Sequence, residues 1–115
     1  MPEAVVQRTY GQSDVLNIEK ITVNDPADDE ILIKQTAIGI HFHDIYVRTG
    51  LYKTLNLPGI PGVEASGIIE KLGKSVNNLK VGDRVVYITG SYGAYSSHRV
   101  TVSYTHLTLP TTGSV

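Results

Sequence analysis

Histidines and tyrosines between residues 41 and 52 are the strongest candidates for chemistry in this sequence. His41 and His43 stand two residues apart, and imidazole is a common ligand for zinc, copper and nickel. In an extended backbone both rings could bind one ion, but a tight site needs a further carboxylate or histidine. We therefore favour a structural or cofactor-facing role for both histidines over a metal site.

Tyr46 and Tyr52 offer a second kind of chemistry. Each has an apolar ring with a hydroxyl at its tip, which suits the wall of a cleft that binds a flat molecule. Tyr46 lies on a predicted helix and Tyr52 just beyond it, so both could face one cleft. The alternative is that they are ordinary half-buried tyrosines without a role.

The elements that must position these residues are mostly strands. β-branched, partly alternating runs are separated by turn residues, and Gly67 inside one run indicates a bulge or a close backbone approach. A short helix over 43–49 ends at Gly50, and Asp44 and Arg48 have the i,i+4 spacing of a helical ion pair. Strands are predicted over 4–10, 15–22, 31–40, 63–72, 84–88 and 94–102. This pattern predicts a mainly β fold, a partly open barrel with one short helix.

Composition excludes several classes of function. The 115 residues carry a formal net charge of −1, so there is no cationic surplus for nucleic acid or an anionic membrane. The absence of cysteine excludes disulfides, thiolate catalysis and cysteine-based metal sites. The chain has no apolar run long enough to span a bilayer and no signal-like start, so we expect a cytoplasmic protein.

Three stretches resemble the N-terminal catalytic half of medium-chain dehydrogenases/reductases: AIGIHFHDIYVRTGLY (37–52), PGIPGVEASGIIEKLG (58–73) and VGDRVVY (81–87). Within that superfamily, Asp44, Tyr46, Arg48, Gly50 and Tyr52 are similar to the zinc-independent quinone oxidoreductases, the zeta-crystallin-like group. The resemblance implies a GroES-like domain over residues 1–102. The family's second lobe, a Rossmann domain that binds NADPH, is absent from this sequence, so we expect the fragment alone to be inactive.

The resemblance also implies an activity and a set of site residues. The family transfers hydride from NADPH to a quinone or a related conjugated carbonyl compound, and the full-length enzymes are commonly homodimers. It implies catalytic roles for Tyr46, Tyr52 and His41, and contacts with the cofactor from His41, Tyr46 and Arg48. In the zinc enzymes of the superfamily a ligand stands where this chain has Val63, so no zinc is expected.

Two alternatives stay open at this stage. The chain could belong to another zinc-free reductase of the superfamily, such as an enoyl or alkenal reductase, because these share the barrel and differ in the lining of the pocket. It could also be a non-catalytic GroES-like binding module, which would need a flexible loop with an apolar tip.

The resemblance ends near residue 100. Six of the thirteen residues over 103–115 are Ser or Thr, and Pro110 and Gly113 interrupt regular structure. The segment SYTHLTLPTT looks like translated sequencing-adapter sequence. We therefore predict a tail over 103–115 that is disordered or artefactual and has no function.

Overall fold

Seven strands and one α-helix build the part of the chain that the computed structural model describes, residues 2–89, 91–103 and 106–108. Turn residues separate the strands, as the sequence predicts. A single 3-10 turn, Ser13–Val15, precedes the second strand. The elements are β1 (Glu3–Gln7), β2 (Leu16–Lys20), β3 (Glu30–Ile38), α1 (Phe42–Thr49), β4 (Glu64–Leu72), β5 (Arg84–Ile88), β6 (His98–Val102) and β7 (His106–Thr108).

The strands form two antiparallel sheets that do not close into one barrel. β1 and β2 pair as a hairpin, and the other strands pair in the order β6-β3-β4-β5-β7. Isolated bridges from Ala4 to Ser96 and from Gln7 to Gly59 connect the hairpin to the rest. The predicted mainly β fold with an incompletely closed barrel and one short helix is therefore confirmed for the described residues.

The core lies on one face of the larger sheet. Alternating positions of β3, β4 and β5 point into it, which is the period-2 pattern of a half-buried strand. Gly67 makes the predicted close approach, since a Cβ atom there would lie 2.4 Å from the carbonyl oxygen of Lys34. The buried members of the cluster are Ile31, Ile33, Ala65, Ile69, Leu79, Val85, Tyr87 and Ala94.

The predicted tail falls largely outside the described residues. Residues 104, 105 and 109–115 are not among them. At His106–Thr108, where the sequence predicts a tail without structure, the backbone is strand β7 paired with β5. The domain boundary at residue 102 and the origin of residues 103–115 stay predictions.

The helix α1 is held to the lobe by a buried carboxylate. Asp44 is 5% exposed, and its Oδ2 accepts hydrogen bonds from the His41 backbone N–H (3.0 Å) and from the Tyr95 hydroxyl (2.6 Å). Asp44 therefore caps the first turn of the helix and ties it to the connection between β5 and β6.

None of the described helices has the length and apolar character needed to cross a membrane.

The helix ends as predicted at Gly50. This residue is left-handed, with φ of 88°, and its N–H donates to the Val47 carbonyl (3.3 Å). A Cβ atom at Gly50 would lie 2.9 Å from the Tyr10 ring. Both the backbone conformation and the neighbouring ring therefore require glycine here.

We predict that Gly50→Ala lowers the free energy of unfolding by about 2 kcal/mol, from left-handed strain and from displacement of the Tyr10 ring. Gly82→Ala is the matched control: Gly82 also has positive φ (96°), but nothing lies within 4 Å of its Cβ position. The control is expected to lose only the strain, about 1 kcal/mol. Urea unfolding measures both, and equal losses would contradict a role for the Tyr10 contact.

Candidate functional site

The chain turns back on α1 after Gly50 and brings two tyrosine rings into edge-to-face contact. The N–H of Tyr52 donates to the Tyr46 carbonyl (3.1 Å). The ring centroids of Tyr46 and Tyr52 are 5.4 Å apart, at an angle of 76°, which is the edge-to-face geometry that aromatic pairs favour. Tyr46 is 38% exposed and Tyr52 is 44% exposed. The structure thus brings together the two rings that the sequence assigns to one cleft.

His43 extends this aromatic surface. It precedes Tyr46 by three residues, so the two lie on the same side of α1. The centroid of its ring lies 5.6 Å from that of Tyr52, and the residue is half-buried. We call His43, Tyr46 and Tyr52 the ring wall.

A tyrosine from a distant loop joins the ring wall, and sequence reasoning missed it. The Tyr92 hydroxyl lies 3.2 Å from Nε2 of His43, and the planes of the two rings differ by only 8°. The same hydroxyl makes a short hydrogen bond with Oγ1 of Thr54. No spacing rule links residues 43, 54 and 92, so the sequence carries no local signal for this cluster.

The two histidines singled out from the sequence turn to different partners. His41 Nε2 forms a close contact with Oε1 of Glu64, with 42% of the His41 side chain exposed. His43 bonds to Tyr92 instead. Within the described ranges, no group of three or more His, Asp or Glu side chains is placed to hold a metal ion.

Asp44 and Arg48 also have separate partners in place of the i,i+4 ion pair. Arg48 Nε donates to the Gly11 carbonyl (3.2 Å). The Arg48 carbonyl accepts from the Gly11 N–H (3.0 Å) and from Nε2 of the fully buried Gln7 (2.9 Å). Arg48 therefore joins the end of α1 to the β1 hairpin, and Asp44 joins its start to Tyr95.

The buried Arg99 holds the loop that carries Tyr92. Its Nη2 donates to the Ser91 carbonyl (3.1 Å), the Ser91 hydroxyl (3.2 Å) and the Tyr92 carbonyl (3.1 Å). Its Nη1 donates to the Tyr87 hydroxyl (3.2 Å). Burial raises the pKa of Tyr87, so this phenol is neutral at physiological pH. The loop is thus fixed to β5 and β6 by one guanidinium group.

A separate apolar groove of about 650 Å³ lies between the β1 hairpin and β3. Its lining includes Val5, Ile18, Ile38 and Ile40, and Ile18 and Ile40 are 74% and 77% exposed. None of the site residues assigned from the sequence lines this groove. The candidate site is therefore the ring wall with its polar neighbours.

Tyr95 gives this region a measurable pH dependence. Burial, followed by the hydrogen bond to the Asp44 carboxylate, raises the pKa of Tyr95 far above its ordinary value of 10.0. The native pKa of Tyr95 exceeds its pKa in the unfolded chain. The stability that the protonated Tyr95 contributes is therefore fully present below about pH 10. It is lost as the pH rises from there toward the native pKa.

We predict that Tyr95→Phe removes part of the alkaline loss of stability. Urea unfolding between pH 8 and 11 should show a shallower fall above pH 10, by at most about 1.4 kcal/mol per pH unit. At pH 8 the variant should lose about 1 to 3 kcal/mol, because Asp44 loses a donor. Tyr46→Phe, with its exposed ring, should change neither quantity. A Tyr95→Phe slope equal to that of the wild type would contradict the Asp44 pairing.

Comparisons with known proteins agree with this architecture. Residues 27–111 match the alcohol dehydrogenase GroES-like domain. The chain is 48% identical over 88 residues to quinone oxidoreductase 1 of Escherichia coli K12, which covers 76% of this chain and 27% of that relative. The chain thus spans less than a third of the length of the first curated relatives it matches.

Solved structures show the same fold. The Escherichia coli quinone oxidoreductase complexed with NADPH matches with a TM-score of 0.89 at 41% identity, over 94% of this chain and 33% of that one. Quinone oxidoreductase from Pseudomonas syringae pv. Tomato DC3000 matches with a TM-score of 0.90 at 36% identity, over 100% of this chain and 35% of that one. The resemblance predicted from the sequence is confirmed, and the chain belongs to the alcohol dehydrogenase GroES-like domain family of medium-chain dehydrogenases/reductases.

Proposed function

We propose that this chain is the N-terminal lobe of an NADPH-dependent quinone oxidoreductase that works without zinc. The observation that carries the proposal is the ring wall, in which exposed rings of Tyr46 and Tyr52 meet at 5.4 Å beside His43. The comparisons support the proposal, because the relatives named above are quinone oxidoreductases and the structure of one of them contains NADPH. A second lobe, the cytoplasmic location and a homodimeric full-length form are parts of the same proposal.

The ring wall fits two flat reactants. Quinone reduction requires that nicotinamide and acceptor rings lie in contact while competing water is excluded. When bound, NADPH supplies a hydride from its nicotinamide ring. Tyr46 and Tyr52 offer neutral aromatic surface for this stacking, and their hydroxyls can orient a ring amide or carbonyl without introducing a fixed charge.

His41 and Arg48 complete the proposed contacts. Glu64 holds Nε2 of His41 and thereby fixes the imidazole, whose side chain is 42% exposed at the start of α1. Arg48 uses Nε to hold Gly11, which leaves the other guanidinium nitrogens for a polar group of the cofactor. His41 would act at the acceptor and the cofactor, whereas Arg48 would contact the cofactor only.

The proposal of a zinc-free reaction rests on the ligands that the chain offers. It has no cysteine, and among residues 2–89, 91–103 and 106–108 no three suitable side chains converge. His41, the best single ligand, already contacts Glu64, and two ligands are too few for a tight tetrahedral zinc site.

The test is a chimera in which residues 1–102 replace the aligned segment of the Escherichia coli relative. We expect it to oxidise NADPH with duroquinone as the acceptor. Tyr52→Ala, which removes one ring, should lower kcat/KM for duroquinone at least about tenfold, because stacking and orientation are lost. Tyr52→Phe keeps the ring and should stay within about threefold of the parent.

Tyr10→Ala serves as the control, since the Tyr10 ring is not part of the ring wall and makes none of its aromatic contacts. It should leave kcat/KM for duroquinone unchanged. A folded parent chimera with no quinone reductase activity would contradict the proposed function. Full activity of the Tyr52→Ala variant would contradict a role of the ring wall in the reaction.

A further inference from the structure

A hydroxyl group with two hydrogen-bonding neighbours stands at the end of the ring wall. The Tyr92 oxygen lies 3.2 Å from Nε2 of His43 and is also bonded to Oγ1 of Thr54. Tyr92 is half-buried and Thr54 is exposed. The hydroxyl therefore contacts an exposed residue, Thr54, and the histidine of the ring wall.

In one of the arrangements that these three groups allow, the Tyr92 proton is left to donate outward. A tyrosine hydroxyl has one proton and two lone pairs. When His43 is in its Nε2–H tautomer and Thr54 turns its O–H toward Tyr92, both lone pairs of the Tyr92 oxygen accept hydrogen bonds. The Tyr92 proton then has no partner within the cluster and can bond a ligand, and the two incoming hydrogen bonds polarise the O–H group.

The position of Tyr92 is fixed before any ligand arrives. Arg99, which is 9% exposed, donates to the carbonyls of Ser91 and Tyr92 and to the Ser91 hydroxyl. The next residue, Gly93, donates from its N–H to the Gly62 carbonyl (3.1 Å). A donor held in this way loses little entropy on binding, which is the condition for an efficient polar contact.

We propose that the Tyr92 hydroxyl donates a hydrogen bond to the carbonyl oxygen of the acceptor, and that His43 and Thr54 orient it. The inference rests on the proposed function and adds a specificity determinant to it. Stacking on Tyr46 and Tyr52 would accept any flat ring, whereas the hydroxyl at the end of the wall selects rings that carry a carbonyl oxygen in their plane. Arg99 acts as a positioning residue through the loop.

Binding of duroquinone to the complete 115-residue chain tests this inference by heteronuclear NMR, without any need for turnover. In the wild type, added duroquinone should shift the resonances of Tyr92, His43 and Thr54 together with those of Tyr46 and Tyr52. Tyr92→Phe keeps the ring and removes only the hydroxyl. Its initial binding slope should fall about threefold to tenfold, the usual effect of one lost hydrogen bond.

Two matched variants separate this role from a structural one. Tyr10→Phe removes a tyrosine hydroxyl outside the cluster and should bind duroquinone as the wild type does. Thr54→Val removes one of the two groups that orient Tyr92 and should weaken binding by less than Tyr92→Phe. The thermal unfolding midpoint of each variant is measured alongside, and a purely structural Tyr92 would lower that midpoint without changing the binding slope.

The outcomes distinguish the two proposals. Shifts at Tyr46 and Tyr52 with no shift at Tyr92, or equal binding by Tyr92→Phe and the wild type, would overturn the inference and leave the proposed function standing. Absence of any duroquinone-dependent shift along the ring wall or at Tyr92 would count against both.

Discussion

The buried carboxylate of Asp44 is the interaction on which the candidate site depends. A carboxylate taken out of water is costly unless donors replace its hydration. Here the His41 N–H and the Tyr95 hydroxyl do so for Oδ2, at 3.0 and 2.6 Å, whereas the buried Oδ1 accepts no hydrogen bond from the described residues. One group thereby fixes where α1 begins and how it meets the connection between β5 and β6. His43 and Tyr46 lie on this short helix, so the Asp44 contacts also determine the orientation of their side chains.

Local patterns predicted most of the elements, but not β7, which lies where the sequence predicted a tail without structure. Runs of β-branched residues between turns predicted the strands, and α1 occupies Phe42–Thr49 where the sequence indicates 43–49. Gly50 ends the helix because only glycine adopts its left-handed conformation without steric strain. The contact between Tyr46 and Tyr52 was also predictable, because the chain reverses at Gly50, about one helical turn after Tyr46. Each of these features depends on residues close together in the chain.

The sequence did not predict the contacts between residues that lie far apart in the chain. Helical spacing favoured a pair between Asp44 and Arg48, yet Asp44 bonds to Tyr95 and Arg48 bonds to Gly11. These half-buried tertiary contacts replace a surface ion pair, which contributes little to stability. Tyr92 reaches His43 only because β5 and β6 place its loop there, and Arg99 fixes that loop. A single sequence carries no periodicity that links positions 43, 92 and 99.

We propose that neutral rings, and no metal ion, present the acceptor to the hydride donor. The most direct measurement is the rate of duroquinone reduction by the chimeric enzyme before and after exhaustive removal of divalent metals with a chelator. We expect an unchanged rate after chelation and no gain on adding zinc. A rate that collapses on chelation and returns with stoichiometric zinc would contradict it.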